Sequence, residues 1–177
     1  VSYGSKILPV RVLGTCGGYS SDIADGIAWA AGVQVTGVPT NTNPARVINL
    51  SLVGQASCPS VLQIAINTAR SLGTVVVAAA GNDAADVSTT FPANCNGVIA
   101  VAATDSVGSR ASFSNYGSLV SLAAPGVSIL STTNLGSTAP IGEGYALDSG
   151  TSYAAPLVSG AAALMLSANS VLIPDDI

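Results

Sequence analysis

Short and nearly continuous runs of apolar residues recur along this chain, each bounded by glycine, proline or polar residues. The runs cover residues 6–13, 46–52, 74–80, 97–103 and 119–123. Their content of valine, isoleucine, leucine and alanine predicts strands. Residues 74–80 lack the alternation of polar and apolar positions that a half-buried strand shows, which predicts a strand covered on both faces, as in a parallel sheet.

Three other segments carry apolar residues at helical spacing. The first begins at Asp22, a favourable N-cap, and ends at Gly32; the second begins at Pro59 and ends at Gly73. The third covers residues 151–167 and is rich in small residues. The order strand, helix, strand, helix, strand predicts an α/β fold, a three-layer, mostly parallel sheet with helices on both faces.

The longest stretch without either pattern is 130–149, which we expect to be irregular. It lies just before the last predicted helix, where loops of open α/β sheets commonly form active sites. The whole chain of 177 residues suits a single domain.

Composition and charge exclude several classes of protein. Hydrophobic residues make up 49% of the chain, charged residues 8%, and the formal net charge is −4. This apolar content can form a core, which argues against disorder, and the few scattered cations argue against nucleic acid as a partner. The apolar runs at 75–80 and 161–165 are too short to cross a membrane. The low lysine content is typical of secreted proteins.

The chain contains no histidine, so these residues cannot form a histidine-ligated metal site or a Ser–His or Cys–His catalytic pair by themselves. It contains three cysteines, Cys16, Cys58 and Cys95. In an oxidising compartment an odd number leaves one thiol without a partner inside the chain.

Three segments carry candidate chemistry. In GTSYAAP, Ser152 would lie in the first turn of a helix, where free N–H groups could stabilise an oxyanion; the alternative is an ordinary N-cap. In AAAGND, Asn82 ends a predicted strand and could donate to the same oxyanion; the alternative is a plain turn. In VINLSLVG, a strand edge could pair with an extended peptide, or simply form core.

Taken together, in this order and spacing, the three segments resemble the subtilisin-like serine proteases, the subtilases. The resemblance extends from about Val1 to Ser167 and includes ILPVRVLG, FPANCNGVIAVAATD, SRASFSNYG and LAAPGVSI. It implies that Ser152 is the nucleophile and that Asn82 is the side-chain donor of the oxyanion hole. The residues implied to contact substrate are Ser51, Leu52, Val53, Gly54, Ala79, Ala80, Gly81 and Phe91.

The resemblance also implies a cis bond before Pro92 and a disulfide between Cys58 and Cys95, leaving Cys16 without a partner. The family triad has the chain order Asp, His, Ser, and its Asp and His motifs precede the segment 6–13. The chain is therefore expected to be the serine-bearing part of one catalytic domain, truncated at both ends. The chain departs from the family at three further positions: Val53 stands where a glycine is usual, Leu157 where a non-catalytic histidine is usual, and Ser121 where an acidic metal ligand is frequent.

Three functions follow as expectations. The first is a secreted peptidase that needs a complementing N-terminal segment with the missing Asp and His. The second is an esterase acting alone on short acyl esters, with Asp148, Glu143 or Lys6 activating Ser152. The third is a binding or scaffold module without catalysis.

Two further expectations concern partners and cofactors. No cofactor is required, although Asp22, Asp25, Asn41 and Asn43 offer oxygen ligands for calcium. Apolar faces uncovered by truncation predict a homo-oligomer.

Overall fold

The computed structural model describes residues 1–177, which form eight strands and three α-helices. The strands are β1 (Val47–Leu50), β2 (Gly54–Gln55), β3 (Val75–Ala79), β4 (Thr90–Phe91), β5 (Ile99–Thr104), β6 (Leu122–Pro125), β7 (Ile129–Asn134) and β8 (Glu143–Asp148). The helices are α1 (Ser20–Ala30), α2 (Ser60–Ser71) and α3 (Thr151–Ala168), and short 3₁₀ turns cover Val87–Thr89 and Pro174–Asp176.

The central sheet is parallel throughout and has the strand order β1-β3-β5-β6. Alternate side chains of β3 enter two separate cores: Val76 and Ala78 pack with α1 and α2, whereas Val75 and Val77 pack with α3. The predicted three-layer α/β fold is confirmed. The uninterrupted apolar sequence of β3 is explained by the helices that cover both of its faces.

Residues 6–13 do not form the predicted strand. They have no strand ladder, and Ile7 is 89% exposed. Leu8, Val10 and Val12 instead border a cavity against the side chains of α1 and β1. An apolar run predicts contact with a core, but a strand also needs a neighbour that pairs with its backbone, and residues 6–13 make no backbone hydrogen bond to β1.

The segment 130–149 is largely a hairpin, contrary to the expected irregular structure. Strands β7 and β8 pair antiparallel from Ile129↔Asp148 to Asn134↔Glu143. Its apolar residues are mostly exposed, so no buried face marked the strands in the sequence. The last strand of the central sheet, β6, lies slightly later than predicted and ends at Pro125, which an edge strand tolerates.

Helix α1 begins at Ser20, two residues before the predicted cap, and Asp22 lies in its first turn without capping it. Helix α3 has 18 residues with a mean hydropathy of 1.2, so it is long and apolar enough to cross a membrane by length and composition alone. The sequence prediction counted only its shorter run, 161–165. In this fold Ala154, Ala155, Ala162 and Leu166 pack one side of α3 into the core.

Candidate active site

The carboxyl end of β3 meets the amino end of α3, and Asn82 and Ser152 lie at this junction. Helix α3 begins at Thr151, with Gly150 as its N-cap residue and no side-chain cap, so the N-cap alternative for Ser152 is wrong. Ser152 is half-buried. As the second residue of the helix, it has an N–H without a helical acceptor.

Thr151 fixes the orientation of the Asn82 side chain. Asn82 Oδ1 accepts hydrogen bonds from the backbone N–H and from Oγ1 of Thr151, both at 2.9 Å. Thr151 Oγ1 in turn accepts from the N–H of Gly81 at 3.1 Å, and Thr151 is fully buried. Since the carbonyl oxygen of Asn82 is held by two donors, its Nδ2 is turned away from Thr151.

Two N–H donors converge beside Gly150. A Cβ atom placed on Gly150 would lie 3.5 Å from Asn82 Nδ2 and 3.7 Å from the backbone nitrogen of Ser152. The Tyr153 ring borders the same point, with Cδ2 at 3.7 Å. Because glycine leaves this space open, a ligand oxygen could approach both donors. Such preformed pairs of donors stabilise the oxyanion of acyl-transfer reactions.

The profile of the Subtilase family matches residues 1–177. The chain belongs to the subtilase family. It is 58% identical over 166 residues to the extracellular protease of Xanthomonas campestris, covering 94% of this chain and 29% of that protein. It is 53% identical over 172 residues to the extracellular basic protease of Dichelobacter nodosus, covering 97% of this chain and 28% of that protein.

A solved protease structure from Pseudoalteromonas arctica superposes with a TM-score of 0.97 at 53% identity. The match covers 98% of this subtilase chain and 54% of the solved chain. The chain thus spans less than a third of the two curated relatives and about half of the solved structure.

The segment that joins β1 to β2 contains the predicted substrate edge, Ser51, Leu52, Val53 and Gly54. Ser51 Oγ accepts from Asn49 Nδ2 and donates to the carbonyl oxygen of Ser152, both at 2.9 Å. Val53 is exposed. Gly54 pairs with Phe91 across β2 and β4, and any side chain at position 54 would collide with the Phe91 ring. Ser51 therefore anchors the first turn of α3, while Gly54 and Phe91 pack tightly against each other.

The other predicted substrate residues, Ala79, Ala80 and Gly81, are buried at the end of β3. Ala80 donates its N–H to the carbonyl of Val101, and Gly81 donates to Thr151 Oγ1. The carbonyls of Ala80 and Gly81 accept from the side chain and backbone of Asn115. These backbone bonds support the loop that carries Asn82, and substrate contact by Ala79, Ala80 and Gly81 stays a prediction.

Asp148 lies near Ser152 in sequence but its carboxylate is already engaged. Tyr153 Oη donates to Asp148 Oδ2 at 2.7 Å, and the N–H of Ser149 donates to Oδ1 at 2.8 Å. The hydrogen bond from Tyr153, and then that from Ser149, hold the pKa of Asp148 below its usual value. The same contact with Asp148 raises the pKa of Tyr153. A lowered pKa makes Asp148 a weaker general base.

Cys58 and Cys95 form a disulfide across 37 residues of sequence, and Cys16 is free and exposed. The bond joins the segment before α2 to the segment after β4, and the Phe91–Pro92 peptide is cis. The structure contains no group of three or more His, Cys, Asp or Glu side chains that could hold a metal ion. Asn41, one of the candidate calcium ligands, donates its side-chain N–H groups to the carbonyls of Trp29 and Ala30 at the end of α1. Calcium binding at these residues stays a prediction.

Sequence reasoning missed the two residues that hold the loop carrying Asn82, Thr151 and Asn115. Both are fully buried and polar, and both bond to the segment that follows β3. The quoted motifs contained them, in GTS and SNYG. No pattern of spacing, however, distinguishes a buried hydrogen-bonding residue from its polar neighbours.

Proposed function

We propose that this chain supplies the nucleophile and the oxyanion hole of a secreted, subtilisin-type serine protease. The observation that carries the proposal is the convergence of Asn82 Nδ2 and the Ser152 N–H beside Gly150. Family membership and the similarity to two proteases named extracellular support peptide-bond hydrolysis outside the cell.

In the proposed reaction, Ser152 Oγ attacks the carbonyl carbon of the scissile bond and gives its proton to a general base. The carbonyl oxygen becomes an anion and accepts hydrogen bonds from Asn82 and Ser152. The C–N bond then breaks as the leaving amine takes the proton, and an acyl ester remains on Ser152. Water repeats these steps to release the acid. Because the family triad contains histidine and this chain has none, the base comes from outside these 177 residues.

The test combines this chain with a polypeptide that carries the Asp and His motifs and measures peptide hydrolysis. Ser152→Ala should lower turnover about a million-fold, to the level left without the triad. Asn82→Ala should lower kcat about 10²–10³-fold. Ser167→Ala and Asn96→Ala are matched controls, because both residues are exposed and their side chains make no hydrogen bonds within the chain. A demonstrated complex without peptide hydrolysis would contradict the proposal.

The esterase alternative has a separate test, turnover of a p-nitrophenyl ester by this chain alone. The engagement of Asp148 by Tyr153 and Ser149 argues against that residue as the activating base. Turnover that disappears in Ser152→Ala would favour an esterase. A chain with neither activity, alone or complemented, would instead be a scaffold.

Association of this chain with itself is part of the proposal. Several large apolar side chains are exposed, including Ile7 on the N-terminal segment, Leu130 and Leu147 on the β7–β8 hairpin, and Leu164 on α3. Exposed apolar surface of this kind favours burial in an assembly. Light scattering of the isolated chain at micromolar concentration should therefore show a dimer or larger species, and a monomer would contradict this part.

A further inference from the structure

Asn115 is completely buried and supports the loop that carries Asn82. Its Oδ1 accepts from the backbone N–H groups of Asp83 and Ala85, both at 3.0 Å. Its backbone N–H donates to the carbonyl of Gly81 at 2.9 Å. Asn115 thus binds the chain on both sides of Asn82, through its backbone N–H at Gly81 and through its side chain at Asp83 and Ala85, and no other residue of this protein makes that pair of contacts.

The backbone around Asn82 is unusual and needs this support. Gly81 has φ of +107°, and any Cβ there would collide with Asn115 Nδ2, so glycine is required for the close approach. Ala84 has φ of +51°, a left-handed conformation that alanine rarely adopts. Its neighbours, Asp83 and Ala85, are the two residues that donate their backbone N–H groups to Asn115 Oδ1. The strained turn is therefore held from inside by one amide.

The other half of the amide reaches the wall of the site. Asn115 Nδ2 donates to the carbonyl of Ala80 at 2.9 Å and to Thr90 Oγ1 at 3.1 Å. Thr90 is buried and belongs to β4, directly before Phe91. Asn115 therefore joins the end of β3, the Asn82 loop and the strand that carries Phe91. The four hydrogen bonds of its side-chain amide all go to these three segments.

We infer that Asn115 is a positioning residue for the oxyanion hole and fixes Asn82 relative to Ser152. This inference rests on the proposed function, because it gives Asn115 a role only through Asn82. A buried amide that places a donor by several hydrogen bonds affects the rate through geometry, and a displacement of about 1 Å at a reacting centre can change the rate about a hundredfold.

The experiment is a double-mutant cycle on the complemented protein, with kcat and KM measured for one peptide substrate. The four proteins are the unsubstituted chain, Asn115→Ser, Asn82→Ala and the double variant. We expect Asn115→Ser to lower kcat about 10- to 100-fold where Asn82 is present. In the Asn82→Ala background the same change should lower kcat less than about twofold, because the group that it positions is gone.

Ser114→Ala is the matched control. Ser114 is also fully buried, and its Oγ accepts from the N–H of Ala103 and donates to the carbonyl of Asn115. It therefore tests the loss of a buried hydroxyl that bonds to β5 and to the backbone of Asn115 but makes no contact with the Asn82 loop. Unfolding curves identify a temperature at which every variant is folded, and activity is compared there. Ser114→Ala should change kcat less than about twofold in both backgrounds.

A second variant, Asn115→Ala, removes the amide without adding a polar or charged group to this buried position. It should lower kcat at least as much as Asn115→Ser where Asn82 is present, and it replaces Asn115→Ser in the cycle if that variant does not fold. Equal losses of kcat in both Asn82 backgrounds, or no loss at all, would overturn the inference. If Asn82→Ala alone leaves kcat unchanged, the oxyanion assignment in the proposed function fails, and the role of Asn115 fails with it.

Discussion

Replacing Thr151 with valine removes one hydroxyl from the centre of the site and keeps the shape of the side chain. Two hydrogen bonds are lost: the one that Oγ1 donates to Asn82 Oδ1 and the one that it accepts from Gly81. Asn82 Oδ1 retains the bond from the Thr151 N–H. The N–H of Gly81 is left buried without an acceptor.

The magnitude follows from these two losses. A buried donor without a partner costs about 1–3 kcal/mol, and the second hydrogen bond contributes about 1 kcal/mol. Thr151→Val should therefore lower the free energy of unfolding by about 2–4 kcal/mol. Thr151→Ser is the matched control, since it keeps the hydroxyl and loses one buried methyl group, which costs about 1 kcal/mol.

The assay is urea denaturation of the three proteins, followed by kcat with the complementing segment present. Since the Asn82 amide is held less firmly in Thr151→Val, kcat should fall about tenfold relative to Thr151→Ser, within the loss expected for one oxyanion donor. Equal unfolding free energies and equal kcat for the two variants would refute the reasoning. That result would mean that the hydroxyl neither supports Gly81 nor orients Asn82.

Further predictions concern stability. Replacing Cys58 and Cys95 together by serine should lower the free energy of unfolding by about 3–4 kcal/mol, from the loop that the bond closes, and a reducing agent should then have no further effect on urea curves. Ala84→Gly should raise or preserve stability, by up to about 1 kcal/mol, because glycine adopts the positive φ without strain; a clear loss would contradict the strain. The pKa of Asp148 is lower in the folded than in the unfolded chain, so Asp148 stabilises the fold above its unfolded pKa and this stabilisation is lost as the pH falls through its folded pKa. Asp148→Asn should therefore remove this acid dependence of Tm. The pKa of Tyr153 is higher in the folded than in the unfolded chain, so Tyr153 stabilises the fold fully below its unfolded pKa and this stabilisation is lost as the pH rises through its folded pKa. Tyr153→Phe should therefore flatten the fall of Tm at alkaline pH.

The central sheet and its helices could be predicted from the sequence because burial decides them. The runs at 46–52 and 74–80 contain β1 and β3, and the run at 97–103 covers all but the last residue of β5, since helices cover both faces of these strands. The failures have the opposite cause. The run at 6–13 is apolar but has no backbone partner, and the β7–β8 hairpin has partners but little burial. Periodicity detects burial and does not detect hydrogen-bond pairing.

The site was predictable only in part, for a related reason. Motif resemblance identified Ser152 and Asn82, and the structure places them together at the junction of β3 and α3. The groups that orient Asn82 come from distant positions, with Thr151 separated from it by 69 residues. Hydrogen bonds between such distant side chains depend on the folded geometry, and a single sequence contains no direct record of them.

The bonds from Thr151 to Asn82 have a thermodynamic consequence for the proposed reaction. The amide is oriented when the chain folds and does not need to be ordered again when a substrate arrives. The activation entropy of the acylation step should therefore contain little contribution from ordering this donor. Variants that loosen Asn82 should show a less favourable activation entropy, with smaller changes in activation enthalpy, when kcat is followed across temperature.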